Sequence, residues 1–360
     1  MGKVAVVGAG FVGSFISYLL AKKHIDVTIY EENKSIGIPE HCAGLVSQKG
    51  LERLGILRLV KNEGLIINNI KCAVVYVGKT KRKICLKKQK IGVLDRPRLD
   101  ALIAQKATDY GADIKLSNRV KEIRTNGILK TEKHEQKYDI IIDAEGTKRL
   151  LLREIIGKNF LFSLPAAQMD IKIQKEVDPE SVEVHFRIPD FFLWVIPLGN
   201  SMVRIGFASR KIHNHILFLS KFARHRFGAY KIIKRFGGMV HIDGPYKKFV
   251  FGKIVGVGDV VGQTKPTTGG GVIIGGLSAC ILAETIKKHI EIGTPLSLYE
   301  KIWSKIFAPE IKFMKTIKNI AFSLDARVIP KIPLSMLPKK ITIETDFDFQ
   351  SKILTKIFRQ

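Results

Sequence analysis

Three glycines and one acid near the start of the chain have the residue types and the spacing that bind a dinucleotide. The segment GAGFVG holds Gly8, Gly10 and Gly13, and Glu31 follows at the usual distance of about 20 residues. In such a motif Gly8 permits a tight turn, Gly10 lets the backbone approach a pyrophosphate, and Gly13 lets a helix pack on a strand. Glu31 would accept a hydrogen bond from a ribose hydroxyl, which favours NAD or FAD over NADP.

The elements around these residues predict the β-α-β unit that the motif requires. Residues 3–8 (KVAVVG) form a short apolar run typical of a buried parallel strand, residues 11–22 have helical periodicity, and residues 27–31 (VTIYE) predict a second strand. The glycines lie between the first strand and the helix, and Glu31 lies at the tip of the second strand. The glycine spacing alone is a weak signal, and this context makes it specific.

A second glycine-rich segment, VGVGDVVGQTKPTTGGG at residues 255–271, has almost no charge. A second dinucleotide fingerprint is one interpretation, but no acid-tipped strand follows it at the required distance. A flavin site fits better. Asp259 can accept from ribityl hydroxyls, and the three glycines that end at Gly271 can bring backbone N–H groups and a helix N-terminus against a flavin ring.

The rest of the chain predicts an α/β fold in which a Rossmann-like domain is interrupted by a second domain. Apolar and polar residues alternate over 167–187 and 191–209, which is typical of an antiparallel sheet, and a buried strand and a helix return after residue 253. We therefore predict a discontinuous FAD-binding domain, an inserted antiparallel-sheet substrate domain and a C-terminal helical region. Their expected boundaries are 1–160 with 250–290, 161–249, and 291–360.

The net charge of +27, from 60 Lys and Arg against 33 Asp and Glu, implies attraction to anions. Seven basic residues fall within residues 79–90 (KTKRKICLKKQK), but no nucleic-acid-binding motif accompanies them, so nucleic acid is not favoured. An anionic membrane surface and a merely solvated surface both remain open. The uncharged run 266–283 is broken by glycines, and we expect a cytoplasmic protein, with a peripheral position on the inner face of the membrane as the alternative.

The four cysteines are scattered along the chain, without a C-x-x-C pair or a neighbouring histidine cluster. We therefore expect neither a metal site nor a disulfide framework. The four are Cys42, Cys72, Cys85 and Cys280.

Taken together, four motifs resemble those of the p-hydroxybenzoate-hydroxylase-like FAD family. They are GAGFVG with its acid, the Arg96-x-x-Leu99-Asp100 pattern, DAEG at 143–146, and Gly258-Asp259 followed by a proline and the glycine turn. The resemblance covers roughly the first 285 residues. DAEG has Glu145 where that family usually has Asp.

Two further segments are similar to those of archaeal geranylgeranyl reductases. PEHCAGLVS at 39–47 resembles the cysteine-containing loop of that family, and Phe192-x-Trp194-x-Ile196-Pro197, followed by Gly206, resembles its Tyr-x-Trp-x-Phe-Pro…Gly-x-Gly signature. Phe replaces Tyr, Ile replaces Phe and Ala208 replaces the last Gly. The fold and the cofactor therefore carry over better than the identity of the isoprenoid.

The resemblance implies FAD contacts from the two glycine-rich segments, the cysteine loop and three positions between them, and substrate contacts from the aromatic segment. Each assignment has a rival: Arg96 can simply pair with Asp100, Cys42 can be a small buried hydrophobe, and the aromatic side chains can be sheet core. No catalytic acid is identified. The implied FAD-binding residues are Gly8, Gly10, Val12, Gly13, Glu31, Cys42, Ala43, Gly44, Arg96, Val120, Gly258, Asp259, Gly270, Gly271 and Val272. The implied substrate residues are Phe192, Trp194 and Pro197.

The activity implied by the resemblance is an FAD-dependent oxidoreductase acting on CH–CH bonds, which saturates the C=C bonds of geranylgeranyl lipid chains in archaeal-type membrane lipid biosynthesis. No second nicotinamide fingerprint is present, so electrons would come from transiently bound NAD(P)H or from a protein donor such as reduced ferredoxin. Two alternatives remain open, because such folds do not fix chemistry. They are an FAD-dependent monooxygenase of an aromatic or lipid substrate, and a non-redox prenyl-binding protein or flavin-dependent cyclase.

Overall fold

The structure is a computed structural model that describes residues 2–157, 163–186, 188, 190–323, 338–344 and 346–353. The strands, in chain order, are β1 (Lys3–Val7), β2 (Asp26–Tyr30), β3 (Leu45–Ser47), β4 (Ile66–Ile70), β5 (Cys72–Val77), β6 (Thr80–Leu86), β7 (Ile91–Leu94), β8 (Asp113–Lys115), β9 (Val120–Ile123), β10 (Ile128–Thr131), β11 (Glu135–Lys137), β12 (Ile140–Asp143), β13 (Ser163–Ile173), β14 (Ser181–Phe186), β15 (Leu193–Gly199), β16 (Met202–Ala208), β17 (Tyr230–His241), β18 (Val250–Phe251), β19 (Ile254–Gly256) and β20 (Lys340–Ile343).

The α-helices are α1 (Phe11–Ala21), α2 (Gln48–Arg53), α3 (Leu57–Asn62), α4 (Arg96–Asp109), α5 (Leu150–Ile156), α6 (His215–Phe227), α7 (Val272–Ile292) and α8 (Ser297–Ser323). Short 3₁₀ helices span Gly146–Lys148, Gly258–Val261 and Gln350–Ile353. The chain divides into two compact units. The first unit comprises residues 1–38, 96–162 and 241–312, and the second comprises 39–95, 163–240 and 313–360.

The first unit is built on a six-stranded sheet in the order β18-β19-β12-β1-β2-β8. All of its pairings are parallel except that of β18 with β19. β1 and β12 are short apolar strands with nearly every residue buried, as expected for parallel strands covered on both faces. α1 packs against both α4 and α7. The first β-α-β unit predicted from the sequence is therefore confirmed as β1, α1 and β2.

The second unit is built on an eight-stranded mixed sheet in the order β17-β13-β16-β15-β14-β5-β6-β20. β13 to β16 include the predicted antiparallel strands, while β14 pairs with β5, and β6 with β20, in parallel. α6 covers one face of β13 and β16 and closes a core that includes Leu193, Val195, Val203 and Ile205. Residues Trp194 and Arg204, one step along their strands, point to the other face because side chains alternate along a strand.

The predicted domain boundaries differ from these units in three places, the smallest of which is that residues 241–249 lie in the first unit. Residues 39–95 lie in the second unit, because β5 pairs with β14 and extends the same sheet. The region after residue 290 contains α8, as expected for a helical region, but also β20, which pairs with β6. The two larger differences come from pairings between strands far apart in the sequence, which local periodicity does not encode. The expected break of regularity at Pro330 and Pro333 lies outside the described residues.

The sequence predicted no disulfide framework, and the structure has one disulfide that the sequence analysis did not identify. Cys72 and Cys85 lie directly opposite each other on β5 and β6, with their Cα atoms 4.0 Å apart, and form a disulfide. The register of the hairpin decides this, and the spacing of the cysteines alone does not reveal it. Cys42 and Cys280 are not disulfide-bonded.

Two features are absent from the described ranges. No helix there has the length and apolar character needed to cross a membrane. No group of three or more His, Cys, Asp and Glu side chains there is placed to hold a metal ion.

Candidate functional site

The loop between β1 and α1 is shaped by two of its glycines and leaves space at the third. Gly8 has φ +95°, and a Cβ atom there would lie 2.7 Å from the carbonyl oxygen of Ala144. A Cβ atom on Gly13 would lie 1.9 Å from the carbonyl oxygen of Gly8. At Gly10 an added Cβ would meet no described atom within 4 Å. Protein packing thus explains Gly8 and Gly13, whereas the space at Gly10 suits a ligand that approaches the backbone.

Glu31 fastens this loop to the end of β2. Its side chain is buried, its Oε2 accepts a hydrogen bond from the Ala9 N–H at 2.8 Å, and its Oε1 accepts two from Asn33. A carboxylate can accept about four hydrogen bonds, so Oε2 keeps capacity for one from a ribose hydroxyl. The sequence predicted only the ribose role. The structural role of Glu31 was missed, because it depends on where the loop and the strand end meet.

The second glycine-rich segment brings Asp259 against the start of α7. A Cβ atom on Gly271 would lie 2.3 Å from the Asp259 Oδ1, so only glycine fits beside this carboxylate. Gly271 is the N-cap residue of α7, whose first residue is Val272, and it has no side chain that could cap the helix. The N–H groups at a helix N-terminus attract negative charge. The predicted residues Asp259, Gly271 and Val272 thus lie together.

Val12 connects the two glycine-rich segments within the first unit. A Cβ atom on Gly258, which has φ +80°, would lie 3.2 Å from the Val12 side chain, and one on Gly275 would lie 2.6 Å from it. The α1 side chain is therefore seated on two glycines, one of them the predicted Gly258. This packing places the starts of α1 and α7 side by side.

Two other predicted contacts have structural roles. The Arg96 Nη2 lies 2.9 Å from the Asp100 Oδ1 one helical turn later, and both side chains are buried. Val120 begins β9 and belongs to a core cluster that includes Val7 and Tyr30. The pairing of Arg96 with Asp100 is the rival interpretation named above, so the FAD contacts of Arg96 and Val120 remain predictions.

The DAEG segment supports the first glycine loop. The Asp143 Oδ1 accepts from the Glu145 N–H at 3.0 Å, while its buried Oδ2 has no hydrogen-bond partner within the described residues. Burial and the nearby Glu145 carboxyl raise the pKa of Asp143 well above its usual value, which favours the protonated form. Glu145 accepts from the N–H groups of Leu151 and Leu152 in α5. The Glu145 side chain is one methylene longer than the Asp that the p-hydroxybenzoate-hydroxylase-like family usually has there, and it therefore reaches the start of α5.

Two buried cations beside the second glycine-rich segment were missed. Arg149 donates to the backbone carbonyl oxygens of Asp259 and Val260 at 2.7 and 3.0 Å. Lys265 is 4 % exposed, and a Cβ atom on the predicted Gly270 would lie 2.8 Å from its Cε. The sequence contains a signal for Lys265, since it is the single cation between residues 255 and 271. It contains none for Arg149, whose contacts depend on the tertiary fold.

In the second unit, Trp194 lies flat on a glycine of the neighbouring strand. Trp194 and Gly206 are directly opposite on β15 and β16, and a Cβ atom on Gly206 would lie 2.6 Å from three indole atoms. Gln168, opposite Gly206 on β13, accepts from the indole N–H at 3.3 Å and donates to the His41 carbonyl oxygen at 3.2 Å. Gln168 therefore joins the Trp194 signature to the cysteine loop, two segments that lie far apart in the sequence.

The cysteine loop, within the segment 39–47, is tightly turned over residues 40–44. Gly44 has φ +88°, and a Cβ atom there would lie 2.8 Å from the Leu94 carbonyl oxygen. The Gly44 N–H points at the Cys42 Sγ at 3.4 Å. The thiol is half-buried, and the predicted residues Cys42, Ala43 and Gly44 form one turn in front of β3.

The three predicted substrate residues are not all on one face of the sheet. The Phe192 ring meets the edge of Trp194, with ring centroids 6.0 Å apart, and stacks on Phe191 at 4.1 Å. Pro197 instead follows Val195 on the α6 side, where both line a cavity of about 670 Å³. The structure thus brings Phe192 and Trp194 together and separates Pro197 from them. Trp194 and Pro197 are three positions apart, and side chains an odd number of positions apart on a strand lie on opposite faces of the sheet.

Comparison with known proteins gives matches along most of the chain. Residues 6–39 match the family model described as an NAD(P)-binding Rossmann-like domain. An uncharacterized protein, MJ1520, of Methanocaldococcus jannaschii is 28% identical over 99% of this chain and 94% of its own length. Digeranylgeranylglycerophospholipid reductase 2 of Methanothermobacter thermautotrophicus is 28% identical over 91% of this chain and 87% of its own.

Solved structures show the same fold. A geranylgeranyl bacteriochlorophyll reductase-like protein of Thermoplasma acidophilum matches with a TM-score of 0.87 at 22% identity, covering 100% of this chain and 97% of its own. A p-nitrophenol 4-monooxygenase of Pseudomonas putida matches with a TM-score of 0.68 at 16% identity, covering 93% and 98%. The resemblance to archaeal geranylgeranyl reductases inferred from the motifs is thus confirmed along most of the chain, and the fold is that of the p-hydroxybenzoate-hydroxylase-like flavoproteins.

Proposed function

We propose that the protein is an FAD-dependent reductase that saturates C=C bonds in geranylgeranyl chains of membrane lipids. The observation that carries this proposal is the contact of Trp194 with Gly206 and its link through Gln168 to the cysteine loop. This link brings together the two segments that resemble those of geranylgeranyl reductases. The names of the curated relatives support the same activity.

The residues of the first unit fit FAD. The uncapped start of α1 beside Gly10 suits the pyrophosphate, the spare acceptor capacity of Glu31 suits the adenosine ribose, and Asp259 suits the ribityl hydroxyls. The start of α7 and Lys265 supply positive potential for the flavin ring. We also propose the contacts at Cys42, Ala43 and Gly44, which rest on the family resemblance.

When bound, FAD in its reduced form would supply the hydride that adds to one alkene carbon, and a proton would add to the other carbon. The protein's own part is to hold the prenyl chain in one orientation and to exclude water from it. Phe192 is half-buried and would contact the apolar chain, while Trp194 and Phe191, which are both buried, pack against its ring. The electrons would come from NAD(P)H or from a reduced protein donor.

The test of this proposal follows the electrons. The protein is reduced chemically without oxygen, a geranylgeranyl lipid is added, and flavin absorbance and lipid mass are measured together. We expect anaerobic reoxidation with two hydrogens added per turnover, and no reoxidation with a fully saturated lipid. Reoxidation that needs air, with a product heavier by one oxygen, would instead establish the monooxygenase alternative that the p-nitrophenol 4-monooxygenase fold supports. If the lipid changes the flavin absorbance neither without oxygen nor in air, the non-redox alternative is established.

We further propose that the basic surface attracts anionic membranes. The hairpin β5–β6 carries Lys79, Lys81, Arg82 and Lys83, and α8 carries Lys318 between the exposed Ile317 and Ile320. Cations beside exposed apolar groups are typical of segments that lie at a membrane surface. We expect the protein to sediment with acidic vesicles more than with neutral ones, and salt to weaken this binding. Equal sedimentation with both kinds of vesicle would show that the basic residues do not bind anionic lipid and only keep the surface solvated.

A further inference from the structure

Arg204 holds the cysteine loop from the sheet beneath it. It lies on β16, on the same face as Trp194, and is 4 % exposed. Its Nη1 donates to the carbonyl oxygens of Cys42 and Ala43 at 3.1 and 3.2 Å. One guanidinium nitrogen therefore fixes two successive peptide groups of the loop.

The rest of the guanidinium group is fully anchored. Asp170, directly opposite on β13, accepts from Nε at 2.7 Å and from Nη2 at 2.9 Å, and the Nη2 also lies 2.9 Å from the Glu40 Oε1. Arg has five N–H donors, and these contacts together with the two loop carbonyls use all five. The Phe236 ring covers the guanidinium plane, with its centroid 4.7 Å away.

Lysine could not reproduce this arrangement, because its ammonium group is a point charge with three donors and no planar fork. The loop has other attachments in the same unit. Lys234 forms an ion pair with Glu40, and Gln168 donates to the His41 carbonyl oxygen. Arg204 differs from these in contacting the two peptide groups that flank Ala43, beside the thiol.

We propose that Arg204 is a positioning residue: it sets the orientation of the Cys42 thiol and of the Ala43 and Gly44 N–H groups on the face that carries Trp194. In a peptide group the C=O and the N–H point in opposite directions. Because the carbonyl oxygens of Cys42 and Ala43 point at the guanidinium, the N–H groups of Ala43 and Gly44 point away from it. The Gly44 N–H is then directed at the Cys42 Sγ. Its importance for turnover rests on the proposed reductase function, but the positioning itself does not.

The first test measures the thiol without any turnover. In a Cys280→Ala background, where Cys42 is the one cysteine outside the disulfide, the rate of alkylation by iodoacetamide is measured on flavin-free protein. We expect Arg204→Lys to speed alkylation roughly tenfold or more, because two hydrogen bonds that hold the loop are lost. Unchanged alkylation would overturn the proposal.

Arg226→Lys is the matched control. Arg226 also forms a two-bond pair with a carboxylate of this unit, donating to Glu183 from Nε and Nη2, but it does not bond to the loop. We expect it to lower the urea midpoint without speeding alkylation. If both variants speed alkylation equally at equal loss of stability, the effect is general loosening and the proposal is wrong.

Asp170→Asn keeps the test informative if Arg204→Lys does not fold. It preserves shape and weakens only the anchoring of the guanidinium, so we expect a smaller acceleration of the same sign. In the anaerobic assay, Arg204→Lys should slow flavin reoxidation by lipid while Arg226→Lys does not. Faster alkylation with unchanged reoxidation would contradict the role in turnover. A wild-type protein that fails the anaerobic assay, with the alkylation result intact, would contradict only the proposed function.

Discussion

Replacing Gly10 by alanine is expected to give a folded protein that has lost most of its FAD. Gly10 has φ −68° and ψ 177°, which alanine adopts readily, and an added Cβ meets no described atom within 4 Å. The methyl group would occupy the space through which we propose the pyrophosphate approaches the start of α1. Loss of charge-assisted hydrogen bonds there should weaken binding by about tenfold to a hundredfold. Flavin titration gives the dissociation constant, and urea unfolding gives the stability of the flavin-free protein.

Gly13→Ala separates ligand binding from folding in the same loop. Its Cβ would lie 1.9 Å from the backbone oxygen of Gly8, so we expect both stability and FAD binding to fall. Gly10→Ala should lower only the second. If Gly10→Ala binds FAD as tightly as the wild type, the pyrophosphate does not approach the backbone there and the assignment of this loop is wrong.

Gly206→Ala should abolish lipid reduction while leaving the FAD content unchanged. The new methyl group would lie 2.6 Å from the Trp194 indole, so the ring must move and its hydrogen bond to Gln168 must break. Overpacking of this kind costs about 1–3 kcal/mol of unfolding free energy. The anaerobic lipid assay, the flavin absorbance and the urea midpoint measure the three effects.

The double variant Gly206→Ala with Trp194→Leu tests whether the clash is the cause. Leucine removes the ring that the methyl group would strike. The loss of unfolding free energy in the double variant should therefore be smaller than the sum of the losses in the two single variants. Activity should stay absent, since the aromatic surface is gone. Additive losses of stability would show that Gly206→Ala acts elsewhere and would remove the reason for placing Trp194 on this glycine.

The parts of the fold that are local in sequence could be predicted. The apolar run of β1, the glycines before α1 and the acid at the end of β2 encode the nucleotide-binding unit within the first 31 residues. Asp259 and Gly271 could be predicted to share one site because both lie in the same glycine-rich segment, where side chains would block the close approach of the backbone. Their prediction required spacing and the conformational demands of glycine.

The parts that depend on strand register could not be predicted. Pro197 was assigned with Trp194 because the motif is linear, yet the pleat sends them to opposite faces. Cys72 and Cys85 meet because of one hairpin register. Arg204 gives no sequence signal, since its partners Asp170 and Glu40 become neighbours only after β13 and β16 pair and the cysteine loop lies over them.

The parallel pairing of β20 with β6 has a consequence for synthesis of the chain. β6 leaves the ribosome long before Lys340–Ile343 is made, so one edge of the nascent sheet lacks its partner for most of translation. Such an edge is a template for pairing between unfinished chains, and charged residues along a strand oppose that pairing. Lys81, Arg82 and Lys83 lie on this strand. The same basic residues can therefore keep nascent chains from aggregating before the enzyme meets any lipid.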